Sequence, residues 1–247
     1  MTSYDSIGTG YTRLRRPDPR IAAAVHAALG AAETVVNVGA GAGSYEPGDR
    51  WVLAVEPSHV MIGQRPPGRA PAILASAESL PLADRTVDAA MATLSLHHWS
   101  DWRAGLRQMR RVARERIVIL TWDPDAADFW LTREYVPWLR DWDAGRFPTI
   151  EQMRDALPGA NVEPVPIPRD CEDGFLGAWW ARPEAYLDPA VQRSNSLFAL
   201  TPNQGRLARD LARLAADLRS GDWDARHGEL RRRGELDLGY RLIAAPA

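Results

Sequence analysis

The sequence predicts an α/β protein built on an open, mostly parallel sheet, and three observations carry that reading. A β-branched apolar run, Val35, Val36 and Val38, leads at once into Gly39, Gly41 and Gly43. A second apolar run, Trp51 to Val55, ends on a single carboxylate, Glu56. Around them, short runs of strand length alternate with stretches of helical spacing as far as residue 124, the pattern of strands joined by crossover helices. Glycines after the first strand let the backbone turn sharply and let a ligand lie against bare N–H groups at a helix start. Glu56, at the tip of the neighbouring strand, stands where a ribose diol would be held.

The spacing narrows the ligand. The dinucleotide fingerprint G-x-G-x-x-G needs its third glycine for helix-strand packing, but here that glycine comes one residue early, at Gly43, and Ser44 holds the dinucleotide position. G-x-G-x-G with an acid closing the second strand resembles the nucleoside loop of class I S-adenosylmethionine (SAM)-dependent methyltransferases. Asn37 departs from that pattern, which usually has Asp or Glu there. Ala77-Glu78, followed by Leu80-Pro81 and Asp84, is similar to the adenine-flanking loop of the type-11 (UbiE-like) group.

The resemblance implies a Rossmann-like seven-stranded class I methyltransferase sheet, with the last strand antiparallel beside the fifth. It also implies SAM as cofactor and methyl transfer as the reaction. By the same resemblance the cofactor residues are Asn37, Gly39, Ala40 and Gly41 in the loop, Glu56, Pro57 and Met61 beyond the second strand, and Ala77, Glu78 and Leu94 at the adenine side and fourth strand. In that group the arm before the first helix folds over the cofactor, which makes Tyr11 and Arg16 candidates for its aminoacyl end.

Taken in order, residues 1–16 are too rich in glycine for a stable helix and read as that arm. Asp18 and Pro19 read as an N-cap and first-turn proline, with Ile21, Val25 and Leu29 on one face before Gly30. Pro57 to Met61 opens a second helix closed by Pro66-Pro67-Gly68. A third short strand follows Ala72, and a fourth, Ala89 to Leu94, leads to His97 and His98 at a carboxyl end, where open α/β sheets bind ligands. A histidine with an ordinary pKa of roughly 6.5 can accept a proton near neutrality, so these two are the candidate catalytic bases, His98 ahead of His97, with satisfied loop histidines as the structural alternative. Ser100 or Asp101 caps a helix carrying Trp102, Leu106 and Met109 inward, and Ile117 to Leu120 is the fifth strand.

Residues 1–124 are therefore expected to form the SAM-binding half with its arm, and 125–247 to complete the sheet. The completing parts are a helix over 151–157 and strands at 162–167 and 238–244, interrupted by helical cap insertions at 125–148 and 169–233. Nine of the ten tryptophans lie at or after Trp99, so most fill the cap's core. Trp99, Trp179 and Trp180 are the candidates to line a substrate pocket, the last two because a glycine-bearing turn before them could move as a lid.

Composition sets the remaining bounds. A chain of 247 residues, 45% hydrophobic, can bury a large core. A net charge of −2, with all 30 basic residues arginine and interspersed with acids, gives no pull toward nucleic acid or an anionic membrane. One cysteine, Cys171, excludes an internal disulfide and a multi-cysteine metal site, which suits a reducing cytoplasm. No apolar run reaches membrane-spanning length. The expected partner is a small-molecule acceptor with an O, N or C nucleophile, with no metal ligand set and no indication of oligomeric state. Two rivals are a SAM-fold protein that binds the cofactor without methyl transfer, and an NAD(P)-dependent oxidoreductase, which Ser44 and the lack of any lysine for a Tyr-x-x-x-Lys pair disfavour.

Overall fold

Burial on both faces selects the central strands. In the computed structural model, which describes residues 15–123, 125–126, 128–139 and 146–247, α1 (Pro19–Ala28) starts on Asp18, whose side chain accepts from the Arg20 amide. β1 (Thr34–Val38) is buried at every position past Thr34, the run expected of a parallel strand covered by helices on both sides. β2 (Trp51–Glu56) pairs with it in parallel, Val38 opposite Val55. α2 (His59–Gly63), β3 (Ala72–Leu74) and β4 (Val87–Thr93) follow, then α3 (Trp102–Val112), capped by the Asp101 side chain. β5 (Ala113–Trp122) runs longer than its apolar centre because Arg114 to Arg116 extend its exposed end.

The second half completes the sheet. α4 (Ile150–Ala156) opens on a reciprocal Thr149–Gln152 capping box and leads into β6 (Asn161–Pro164). The expected single strand over 162–167 is broken by Pro164 and Pro166, which lack ladder donors. Its remainder, β7 (Ile167–Pro168), leaves the main sheet and pairs with β8 (Glu235–Leu236). β9 (Tyr240–Pro246) inserts antiparallel between β5 and β6. The sheet order is β3-β2-β1-β4-β5-β9-β6, so it is a seven-stranded Rossmann-like sheet whose strand order reverses between β1 and β4. Ligands bind outside the carboxyl ends of strands at such a reversal.

Between β7 and β8 lies the cap, made of short 3-10 turns at Leu176–Trp179 and Pro183–Leu187 and the helices α5 (Pro189–Ser194), α6 (Ser196–Leu200), α7 (Gln204–Ser220) and α8 (Asp222–His227). α7 buries Leu207, Leu211 and Leu214. These pack with Trp130, Trp180, Tyr186 and Trp223 in one core that also takes one face of the sheet. The opposite face packs on α3 and α4 through Leu106, Met109, Met153 and Leu157. No helix among the described residues is long and apolar enough to cross a membrane.

One expected element is missing. No helix follows the glycine loop: residues 41–50 run in turns to β2. Pro47 and Gly48 fall where a helix would be propagating, and Tyr45 holds a φ of 62°, so the chain there has neither the donors nor the backbone for one.

Candidate active site

The loop after β1 binds itself before it can bind anything else. Gly39 and Ala40 both donate to the Val55 carbonyl, at 2.9 and 3.1 Å, and the Gly43 amide donates to Ala40 at 2.9 Å. The Gly41 amide donates to Glu56 Oε2 at 2.8 Å. The expectation of bare N–H groups at a helix start is therefore corrected: those amides are spent, and the glycines serve close approach instead. A Cβ on Gly39 would lie 2.7 Å from the Ser95 Cβ, and one on Gly41 would lie 3.3 Å from the Met61 methyl, both from backbones at positive φ. With the amides of Gly39, Ala40, Gly41 and Gly43 committed, the loop offers few for a pyrophosphate, which weighs against a dinucleotide.

Glu56 is fixed from both sides. Its Oε1 accepts from the Ser58 amide at 2.9 Å while Oε2 takes Gly41, and the buried carboxylate lines a cavity of about 410 Å³. Gly39, Ala40 and Gly41 form one wall of that cavity, Pro57 and Met61 another, and Ala77 and Glu78 a third. Leu94, His98 and Trp99 close it from β4 and the turn beyond. Leu94 carries a φ of 50° while its amide donates to Leu120 at 2.7 Å, a strained non-glycine backbone of the kind that clusters at functional sites.

Glu78 is committed to the neighbouring loop. Burial would raise its pKa, but hydrogen bonds from its own amide, the Asp101 amide and the Ser100 and Ser76 hydroxyls bring it below the usual range. Its Oε1 takes the Ser100 amide at 2.8 Å and the Ser100 hydroxyl at 2.9 Å, so it holds the turn that carries Trp99. The Trp99 ring sits on Gly105, where a Cβ would be 2.3 Å away. Trp99, expected in a substrate pocket, is placed in the large cavity beside Ala77 instead.

A second, smaller cavity of about 50 Å³ lies under the cap. His97, Trp122, Phe147, Phe175 and Tyr240 give it aromatic walls. Arg15 and Leu94 line both cavities, so the two spaces meet there. His97 stacks on Phe147 at 4.3 Å and 21°, and its Nδ1 finds no hydrogen-bond partner among the described residues. Burial, His98 and the cations Arg146 and Arg15 push His97 well below its ordinary pKa. Burial first, then Arg146 and Arg15, push His98 down to about 3. Both rings are neutral at neutral pH.

Several expected site residues fall elsewhere. Arg16 is exposed and lines neither cavity; its neighbour Arg15 does, pairing with Asp173 at 2.7 Å. Asn37 points behind the loop, its Nδ2 donating to Glu46 at 3.1 Å, and Glu46 pairs with Arg65 at 2.8 Å. Trp180 is wholly buried in the cap core with its indole N–H on the Ile167 carbonyl at 3.0 Å. Trp179 is half-buried with Arg182 4.4 Å over its ring, also away from both cavities. Gly177 does not act as a free hinge, because its missing Cβ makes room for the Tyr240 ring at 2.7 Å. Tyr11 lies outside the described residues. The aromatic walls that sequence reading missed, Trp122 and Tyr240, face each other across the β5–β9 register, and the end of an apolar strand was their one local signal.

A strand-tip carboxylate and a self-bonded glycine loop face a cavity of about 410 Å³ at the reversal of this seven-stranded sheet. A methyltransferase-domain family model matches residues 36–120. A protein from Anabaena variabilis, assigned as a methyltransferase from an antibiotic biosynthesis pathway, shares 34% identity over 94% of this chain and 98% of its own, at a TM-score of 0.87. The chain belongs to the class I SAM-dependent methyltransferases of the type-11 group, and SAM is its cofactor. The fold is shared more distantly with the geranyl diphosphate C-methyltransferase of Streptomyces coelicolor A3(2), solved with S-adenosyl-L-homocysteine (SAH). That match has 14% identity, 92% and 78% coverage of this chain and that one, and a TM-score of 0.56. The [4+2]-cyclase SpnF shares it too, at 18% identity, 92% and 79% coverage, and a TM-score of 0.55. No curated protein matches the chain in sequence.

Proposed function

We propose that the protein methylates a small, uncharged acceptor with a flat apolar face, seated where the SAM cleft meets the aromatic chamber. The observation that carries this is the shared lining: Arg15 and Leu94 border both the large cavity and the aromatic one. Among the described lining residues of the chamber, Arg15 is the one ionised side chain, and Asp173 already neutralises it at 2.7 Å. An ammonium on the acceptor would meet the cations Arg146 and Arg15, which already act on His97, and a carboxylate would have to compete with Asp173 for Arg15.

The large cavity fits the cofactor. Its volume falls within the 300–1,000 Å³ range typical of small-molecule sites, and a Cβ at Gly39 or Gly41 would intrude on its wall. In this reading Glu56 accepts hydrogen bonds from the ribose hydroxyls, Ala77 and the Trp99 ring offer apolar surface to the adenine, and Arg15 faces the aminoacyl end. SAM, when bound, supplies a methyl on a sulfonium with a good leaving group. The chain's own residues then align the acceptor, which is worth up to about 7–11 kcal/mol of the barrier, and keep water out. His98, neutral and facing the large cavity, is suited to accept a hydrogen bond from an acceptor O–H. With its pKa pushed down to about 3 it is a weak store for the proton.

The test is transfer of labelled methyl from SAM to a matched panel of one-ring phenols that are neutral, carry a side-chain carboxylate or carry a side-chain ammonium. Turnover should concentrate in the neutral members. Transfer confined to the charged members would defeat the proposal.

A further inference from the structure

Asp173 sits at a meeting of three segments. Its side chain is wholly buried, and its Oδ1 accepts from Arg15 Nε at 2.7 Å and from the Gly174 amide at 2.7 Å, while Oδ2 accepts from the Tyr45 hydroxyl at 2.7 Å. Each donor belongs to a different part of the site. Arg15 comes from the chain before α1 and lines both cavities. Tyr45 directly follows Ser44, the last loop residue on the large cavity; its backbone has a positive φ of 62° and its side chain is buried. Gly174 directly precedes Phe175 and Leu176, which wall the aromatic chamber.

The chemistry makes this a stiff junction. A buried carboxylate taking three donors, one of them cationic, forms charge-assisted bonds that neither oxygen can redirect without leaving a buried group unpaired. Burial and the Asp173 charge hold the Tyr45 hydroxyl in its protonated, donating form. The glycine loop therefore cannot shift at Tyr45, nor the cap at Gly174, without disturbing the position of Arg15.

We infer that Asp173 is a positioning residue that ties the cofactor loop to the acceptor wall through Arg15 and Tyr45, so that filling the SAM cleft orders the chamber for its acceptor. This rests on the proposed assignment of the two cavities. Coupling of this kind is reciprocal for binding free energies: whatever a cofactor-side ligand does to the cap, an acceptor does to the cofactor cleft.

The test uses SAH as the cofactor-side probe and the full chain throughout. Amide hydrogen exchange of the segment 173–179 is measured with and without saturating SAH, beside SAH affinity by calorimetry, for the wild type, Asp173→Asn and Tyr45→Phe. The readout is the SAH-dependent slowing, which a residue important only for stability would not change once the protein is folded and loaded. The wild type should slow by at least about tenfold on SAH binding. Asp173→Asn should bind SAH yet lose most of that slowing, and Tyr45→Phe should lose part of it. If Asp173→Asn does not fold, Tyr45→Phe decides alone, and undiminished slowing in it overturns the inference. Equal slowing in Asp173→Asn and wild type, or none in a wild type that binds SAH, overturns it as well. A wild type that fails to bind SAH would instead bring down the cavity assignment, and the inference with it.

Discussion

Glu56 and the histidine pair lead to different expectations under the proposed function. In the proposed reading, replacing Glu56 by alanine removes the acceptor for ribose, and it frees the Gly41 and Ser58 amides that Glu56 holds at 2.8 and 2.9 Å. With charged hydrogen bonds worth about 1.5–3 kcal/mol each, SAM affinity should drop at least about tenfold, measured by calorimetry on a folded variant. The histidines lead to a different expectation. A base titrating near its ordinary 6.5 would impose a falling limb on turnover below neutrality, but burial holds His98 near 3 and His97 low as well. Turnover between pH 6 and 8 should therefore show no inflection that vanishes in His98→Gln. His98→Gln should also keep more than about a tenth of the wild-type rate. A steep acid limb, lost in that variant, would return the histidine to the role of base.

At the scale of elements, the glycine loop and the cap differ in how far their sequences announced them. The strands were legible because β-branched runs and their pairing period depend on local sequence. The loop's glycines and Glu56 were legible because few other residues fit a strand tip in that spacing. The absence of a helix after the loop has a local signal in Pro47 and Gly48, which lie where its first turns would run. The choice between the adjacent Arg15 and Arg16 was not legible, nor was the position of Trp179 and Trp180 away from both cavities. In irregular chain no period tells which neighbour points inward, and Trp122 meets Tyr240 only through long-range strand pairing. Gly39→Ala should abolish SAM binding, since its Cβ would stand 2.7 Å from Ser95 in a backbone at φ 70°. Gly48→Ala, with nothing within 4 Å, should leave binding unchanged by the same titration. In the cap, Trp180→Ala should cost about 3–5 kcal/mol of stability in a denaturant melt, as large aromatic deletions in cores do. Phe175→Leu should raise acceptor KM while leaving SAM affinity within about threefold.

For the molecule as a whole, acid should weaken the fold in two steps. The folded pKa values of His97 and His98 lie below the ordinary 6.5, so the unfolded chain binds more protons below that pH and stability falls as pH drops through it. Asp18 adds a second window: burial alone would raise its pKa, but bonds from the Arg20 side chain and the Glu172 and Arg20 amides bring it down to about 2 from 3.8. Its stabilising contribution, on the order of 2 kcal/mol, is present above about pH 4 and lost as pH falls toward 2. Urea melts from pH 7 to pH 3 should show stability declining from about 6.5 downward, and a flat profile to pH 4 would contradict the buried neutral histidines. The central claim, a methyltransferase whose cofactor is held by the loop and Glu56, is tested most directly by titrating SAH and NADH into the wild type and Glu56→Ala. The account predicts SAH binding to the wild type, SAH affinity at least about tenfold weaker in Glu56→Ala, and no heat of binding from NADH. Equal SAH affinity in the two proteins, or NADH competing with SAH for the site, would contradict it.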